Sequence, residues 1–568
     1  MREAIMAEFS GGLNSGVEEG ARPFFRELSR IIGFTDSSTV WWSALVLVCI
    51  VLLIPFSLVA VPPIDDYPNH LARMFVEAFG ARDQYLSKMY AVHWRIVPNL
   101  AIDAVLPMLM RFLPINIAGR MMLALSLLLP FLGVVTYNYV AFRRRSAWPL
   151  AASLIAYNTL FLMGFMNYLI GLGAALFAAS GWVAWRQRHV LLTTAFMSVA
   201  ATLIFFIHIF GLLFLAALIG GWELDWVLRS GGGVVAMLRR AAWSIGIGAA
   251  VFFPSAVLYM LSPLSQHSDR MVWNGLWAKL PGMFVLFLGY DDVVGRLVGV
   301  LFFVFIYICD RQRLYRSAPG TMISLLVIFV AYMVCPADYE AAFIDVRFPI
   351  MLGLVLFAGF APVRSPNLAS AAVAAAFSLI LVVRVGTIAD VWYHHNRDLA
   401  ELRYTLDPVP PGSRVLIVAV QPSDNPAYWR NVPRGRLIPG FSRIDYNLPG
   451  LLITEHRGFW PLLFSAVGKQ PIVVLPPYRR ISLPEGVLPD YHLLQHPIPY
   501  PGPAVAPYLW RWRSNFDYVL VLDAGGADWG AGFLPGKLAP LRRTDAGALF
   551  RVLPLKINPG APGAGGHR

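Results

Sequence analysis

The chain has 568 residues, 57% of them hydrophobic and only 14% charged, with a mean hydropathy of +0.59 and a formal net charge of +13. Soluble domains are nearer half apolar and a quarter charged. Here the excess is gathered into long uncharged runs such as 40–61, 121–142, 241–261 and 321–335. That excludes a soluble enzyme, a disordered protein and a coiled coil, and the absence of strand-like alternation excludes an outer-membrane barrel. The positive charge reads as topological, because Lys and Arg collect in cytoplasmic loops, and no nucleic-acid partner is expected. Cys49, Cys309 and Cys335 all fall in or at the end of apolar runs, against a disulfide scaffold or zinc site.

The fold class read from these runs is an α-helical polytopic membrane protein with about eleven spans. They lie near 40–61, 121–142, 147–163, 167–185, 190–207, 209–226, 241–261, 292–309, 320–335, 349–362 and 368–389. A polar segment, 1–39, precedes the first, which reads as a retained signal anchor rather than a cleaved leader. With that segment cytoplasmic, the inner loops carry Arg22, Arg26 and Arg30, then Arg143, Arg144 and Arg145, then Arg186 and Arg188. Arg229, Arg239 and Arg240 follow, then Arg311, Arg313 and Arg316, then Arg364. Every second loop is basic, and the short turns near 164–166 and 208 hold no Lys or Arg.

Two segments are expected on the outer side of what reads as a bacterial inner membrane. One is the loop 62–120, in which 99–120 is expected to lie along the membrane surface. The other is the tail 390–568, holding 24 of the 42 prolines and short strand-like runs at 414–420, 471–475, 518–522 and 548–553. It reads as an α/β domain with a disordered Gly- and Pro-rich end. The organisation is therefore a cytoplasmic segment 1–39, a membrane domain 40–389 and an extracytoplasmic domain 390–568.

The densest polar cluster follows the first span: Asp65-Asp66-Tyr67-Pro68-Asn69-His70, with Arg73 close behind. If Pro68 starts a helix, Asp66 sits near its N-cap and Asn69, His70 and Arg73 share its first turns. Asp66 is then either a helix cap with Asp65 merely solvated, or half of a carboxylate pair able to act as general base and to hold a metal or phosphate-bearing ligand. The last outer loop brings Asp338, Glu340 and Asp345 before Arg347. Arg347 either grips a phosphate bidentately or pairs locally with Asp345 and snorkels. His208 sits in an otherwise apolar turn, and His93 and His267 are further outer histidines, each a packing residue or a ligand. Asp269-Arg270 and Asp291-Asp292 flank one outer loop, and the latter pair reads as a helix cap. No P-loop, GxGxxG, CxxC, HExxH or GxSxG motif is present.

This layout resembles the GT-C superfamily of polytopic membrane glycosyltransferases, which includes protein mannosyltransferases and lipid A aminoarabinose transferases. The matching features are a large outer loop opening on acidic residues, surface helices within it, eleven to thirteen spans and an outer C-terminal domain. The oligosaccharyltransferase WWD signature is missing, since Trp41-Trp42 precedes the first loop. The resemblance implies a sugar moved from a polyprenyl-phosphate carrier to an extracytoplasmic acceptor, with membrane lipid as surroundings. It implies Asp65 and Asp66 as catalytic carboxylates, with His70, Arg73, Arg347 and His208 binding substrate. No cofactor is required by the resemblance, and a divalent metal is compatible with it. The rival readings are a lipid or polysaccharide transporter, which would carry mid-membrane charges and related halves, and an inactive scaffold of the same fold.

Overall fold

The computed structural model describes residues 38–266, 271–339, 342–363, 368–420, 435–495, 507–526 and 532–554. Arg22, Arg26, Arg30, His267, Asp269, Arg270, Glu340, Arg364 and the Gly- and Pro-rich end lie outside them.

A backbone in hydrocarbon must satisfy its own polar groups, so the apolar runs become helices. In chain order these are α1 (Ser38–Leu53), prolonged by a 3-10 turn, and α2 (Tyr67–Phe79), α3 (Ala101–Met110) and α4 (Ile115–Phe142). Then come α5 (Thr159–Leu162), α6 (Met166–Trp185), α7 (Val190–Ile207), α8 (Ile209–Arg229) and α9 (Val234–Leu261). The remainder are α10 (Leu276–Gly282), α11 (Asp292–Arg311), α12 (Thr321–Val334), α13 (Arg347–Ala358), α14 (Leu368–Leu406) and α15 (Leu451–His456). Among the described residues eight helices are long and apolar enough to cross a membrane: α1 with its extension, α4, α6, α7, α8, α9, α11 and α14. The chain is an α-helical integral membrane protein. The outward surfaces agree: α9 buries only Ile247, Val251 and Ser255, while Ile245, Phe253 and Leu261 stand exposed, as lipid-facing side chains do.

Three expected spans take other forms. The segment 147–163 is a 3-10 helix over Trp148–Ile155 and then α5. Asn158 separates them: its amide donates to the Ile155 and Ala156 carbonyls, and its Oδ1 accepts from Phe161 N at 3.1 Å. This stretch is buried inside the bundle and faces little lipid. Helices α12 and α13, with 14 and 12 residues, are roughly 21 and 18 Å long, short of a core of about 30 Å. Conversely, α14 has 39 residues, roughly 58 Å at 1.5 Å per residue. It runs on through Asp390, where the membrane domain is expected to end, into a charged second half.

Small residues let the central helices meet. A Cβ on Gly173 would lie 2.6 Å from the Leu129 carbonyl carbon, and one on Gly211 would lie 2.8 Å from that of Gly171. Helix α6 thus presses its backbone on α4 and on α8, the packing that close helix approach in membranes favours. At the far end of the bundle Arg186 is bidentate on Glu223 (2.8 and 3.2 Å), which also accepts from Ser244, tying α6, α8 and α9 together.

Among the described residues ten short strands are present: β1 (Tyr90–Val92), β2 (Tyr315–Ser317), β3 (Phe360–Pro362), β4 (Val415–Ala419), β5 (Leu437–Ile438), β6 (Ser442–Arg443), β7 (Ile472–Val474), β8 (Tyr518–Leu522), β9 (Leu538–Arg543) and β10 (Gly547–Val552). The C-terminal domain is built on a four-stranded sheet ordered β4-β8-β10-β9, with β4 and β8 parallel and the other pairs antiparallel. The long crossover from β4 to β8 does not simply return. It carries β5, β6, α15 and β7 back over the loop between α1 and α4. There β7 pairs antiparallel with β1, Tyr90 opposite Val474. A Cβ on Gly450 would lie 2.5 Å from the Pro68 carbonyl oxygen, so the crossover sits directly on the start of α2. The first loop and the C-terminal domain therefore lie on one side of the bundle.

Candidate functional site

The carboxylate pair stands where this crossover meets the loop. Pro63 ends the approach from α1, its carbonyl accepting from the Tyr290 hydroxyl at 2.6 Å. Asp65 N then donates to the Leu162 carbonyl and Asp66 N to that of Met163, fixing both residues against the turn after α5. Gly164 in that turn has φ +91°, and a Cβ there would come within 2.9 Å of Asp66 Cβ. Only glycine tolerates both the left-handed backbone and this contact. Pro68 stands in the first turn of α2, as expected, and Asp66 occupies its N-cap position. Yet Asp66 sits in the helical region of backbone space and makes no side-chain cap hydrogen bond. Its carboxylate is not used to start the helix.

The crossover supplies the partners. Asn447 Nδ2 donates to Asp65 Oδ1 at 3.1 Å and lies 3.4 Å from Asp66 Oδ1, while its own Oδ1 accepts from Asn69 Nδ2 at 2.9 Å. Asn69 also accepts from Phe464 N and donates to the Leu462 carbonyl. Burial pushes the Asp65 carboxyl up to about 7, with hydrogen bonds from Ser442 and Asn447 pulling it down and the charge of Asp445 pushing it up. Asp66 is raised well above the carboxylate range by burial and then by the neighbouring charges of Asp65 and Glu485, with Arg73 opposing. Asp65 is buried, whereas Asp66 is partly open. Two adjacent carboxyls whose charged forms are both disfavoured by burial are the kind of pair that acid–base chemistry uses.

The other expected site residues divide. His70, one turn along α2, is nearly buried against Phe464, ring centroids 5.2 Å apart; burial and then Arg73 hold its imidazole well below its ordinary value. Arg73 is not held ready for a phosphate. Its Nη2 is 2.8 Å from Asp103 and its Nε 3.8 Å from Glu77, in a fully buried cluster on α2 and α3. Burial raises both carboxyls above their usual range, against the pull of Arg73.

Arg347 opens α13 and is sandwiched between aromatic faces, 5.1 Å from the Phe165 centroid and 4.9 Å from that of Phe210. Its Nη2 donates to the Ala342 carbonyl at 3.1 Å, and its carbonyl accepts from the Tyr168 hydroxyl. It is not the partner of Asp345, whose carboxylate goes to Lys279 Nζ (3.3 Å) and Asn274. His208 caps α8, its Nδ1 accepting from Phe210 N, and lies against Tyr168. Arg347 and His208 thus belong to one aromatic cluster. It is linked to the carboxylates by one step of chain: Gly164 abuts Asp66 and the next residue, Phe165, lies under Arg347. His93 lies outside this cluster, its backbone N–H held by Pro471 O. Asp291 is a cap, accepting from Val293 N and Val294 N.

Sequence reading missed Asn447 and Ser442. Neither stands in a recognisable motif, and both reach the pair only through a crossover nearly four hundred residues downstream. Among the described residues no three or more His, Cys, Asp or Glu side chains gather as metal ligands. At the pair, Asn447 turns an N–H donor toward an oxygen that a cation would need.

With this geometry the chain can be set beside known proteins. It is similar to ArnT from Cupriavidus metallidurans. The apo structure of that protein aligns over 90% of this chain and 98% of its own, at 12% identity and a TM-score of 0.47. The structure bound to undecaprenyl phosphate aligns over the same shares at 13% identity and a TM-score of 0.45. No protein-family model matches the chain, and no curated protein matches it.

Proposed function

We propose that the chain is a GT-C-type membrane glycosyltransferase that moves a sugar from a polyprenyl-phosphate carrier to a hydroxyl acceptor on the outer side of a bacterial inner membrane. The observation that carries this reading is the Asp65–Asp66 pair. It is enclosed by the first loop and the C-terminal domain, free of helix-capping duty at Asp66, and raised by burial above the usual carboxylate range at both groups. The donor class comes from the resemblance of the layout. The orientation follows from charge: Arg143, Arg144 and Arg145, Arg186 and Arg188, Arg229, and Arg311 and Arg313 stand at or just beyond the C-terminal ends of α4, α6, α8 and α11. Those ends point away from the C-terminal domain, and the positive-inside rule supports an outer position for it.

In this mechanism the pair acts as a unit: the acceptor hydroxyl gives its proton to whichever carboxylate is ionised, and Asp66 is the more open of the two. The oxygen bonds to the anomeric carbon with inversion as the carbon–phosphate-oxygen bond breaks and the polyprenyl phosphate leaves. Asp65, restrained by Asn447 and Ser442, sets the charge state of its neighbour. Arg347, already stripped of water between two aromatic faces, stabilises charge growing on the leaving phosphate. His70 and His208 line the approaches, and Arg73 acts by holding α2 to α3. No step is routed through a metal. The test is chemical: cells lacking the protein should accumulate a polyprenyl-linked sugar in lipid extracts, and restoration of the gene should clear it. Unchanged polyprenyl-linked sugars would remove the proposed donor.

A further inference from the structure

Residues 271–286, in the loop between α9 and α11, carry no charge except Lys279, and the structure turns the usual surface pattern inside out. Met271, Val272, Trp273, Leu276, Trp277 and Leu280 all stand exposed, Trp277 at 81%, while Lys279 is 2% exposed. A helix lying on a protein in water buries its apolar face and shows its charge. Helix α10 does the reverse. Six large apolar side chains exposed within ten residues form a contiguous patch of the kind that is covered in use.

What lies beneath α10 points to what covers it. Lys279 Nζ donates to the carbonyls of Tyr332 and Cys335, both at 2.8 Å, and pairs with Asp345 at 3.3 Å. The Tyr332 hydroxyl donates in return to the Lys279 carbonyl. Tyr332 and Cys335 are in the last turn and at the C-cap of α12, where carbonyls have no partner within the helix. Arg313 and Arg316 stand just before the start of α12, which fixes that end at the basic face of the bundle. With 14 residues, or roughly 21 Å, its other end stops inside a hydrocarbon core of about 30 Å. Leu326, Val330 and Val334 stay exposed up to that end, as lipid-facing side chains do. An orphan carbonyl there has no water to turn to, and Lys279 takes the place of water. This end faces the C-terminal domain, for Phe343 in the loop beyond packs on Phe441, ring centroids 5.9 Å apart.

We infer that α10, with residues 271–275 before it, is embedded in the bilayer leaflet on the side of the C-terminal domain and completes the short span α12. Its outward face meets the same acyl chains as α12, Trp273 and Trp277 sit toward the headgroups, and Lys279 points inward to cap α12. The partner is lipid because the patch continues the lipid-facing surface of α12 and carries tryptophan, the side chain of membrane interfaces. This placement is independent of the transfer chemistry proposed for the carboxylate pair.

Spin-label accessibility tests this on the full chain in liposomes of phosphatidylethanolamine and phosphatidylglycerol. The nitroxide is carried by Trp277→Cys in a background of Cys49→Ala, Cys309→Ala and Cys335→Ala. Leu326→Cys on α12 is the lipid reference, and Val487→Cys, exposed in the C-terminal domain, is the water reference. Oxygen concentrates in hydrocarbon and a nickel chelate in water. At position 277 oxygen should relax the label more than the chelate does, as at 326, and the order should invert at 487. A label at 277 that follows 487 would put α10 in water, and one shielded from both reagents would put a second copy or another protein over it. Either result overturns the inference. Trp277→Asp gives an independent reading. A carboxylate in lipid is costly, so the melting temperature in the same liposomes should fall by several degrees, whereas Asp at a water-exposed position should leave it unchanged. An unchanged melting temperature would contradict the inference as well.

Discussion

Asn447 donates its side-chain amide to Asp65 across 382 residues of chain. This contact joins the C-terminal domain to the loop that follows the first helix and makes that domain part of the candidate site rather than a lid over it. An amide N–H favours the charged form of a carboxylate. Asn447→Leu is therefore expected to raise the apparent pKa of the pair. The acid limb of a transfer-rate profile, expected near about 7 from Asp65, should move to higher pH. An unmoved limb with unchanged rate would show that the contact has no catalytic role.

The raised Asp65 carboxyl also marks stability. Its folded pKa, about 7, lies above the ordinary value of an unfolded Asp, so folding favours the protonated form. This contribution is fully present below about pH 4 and is lost as pH rises through about 7. Relative to Asp65→Asn, the wild-type protein should lose melting temperature between about pH 5 and about pH 8. A constant difference across that range would mean that Asp65 titrates normally.

Arg73 is expected to be structural. Arg73→Met leaves Glu77 and Asp103 buried without their cation, at a cost of about 3–5 kcal/mol. The triple variant Arg73→Met, Glu77→Gln, Asp103→Asn should recover much of that loss, read by thermal unfolding in detergent. An Arg73→Met protein of wild-type stability that fails to bind donor would instead return Arg73 to the substrate-binding set.

Arg347 should behave differently. Arg347→Lys keeps the charge but loses the planar fork stacked between Phe165 and Phe210. Transfer should slow by roughly tenfold or more with little change in stability. A stability loss without any kinetic effect beyond it would mark the aromatic sandwich as packing alone.

The apolar runs and their helices were readable because hydrocarbon leaves the backbone no other solution. The sheet strands β4, β7, β8 and β10 were readable from β-branched runs between turns. β9 was not, since Pro540 and the adjacent Arg542 and Arg543 look like a loop; it is an edge strand, where proline is tolerated. The true reach of α14 was hidden because charged residues cluster from Asp390 onward. The helix continues there on a new footing, with Arg397 and Glu401 paired one turn apart at 2.9 Å. At the candidate site, Asp65, Asp66 and the helix start at Pro68 were visible as a local cluster. That Arg73 turns inward to Asp103, and that Asn447 and Ser442 arrive from the crossover, are tertiary facts with no local signal.

The most direct measurement is transfer from a polyprenyl-phosphate sugar by purified Asp66→Asn protein beside wild type, Asp65→Asn and the double variant. Because Asp66 makes no side-chain cap bond, the Asn variant should insert and melt within about 0.5 kcal/mol of wild type. Its rate should fall by roughly 10²–10⁴-fold, the usual contribution of a general base. Full activity in both single variants and in the double variant would contradict a catalytic role for this pair.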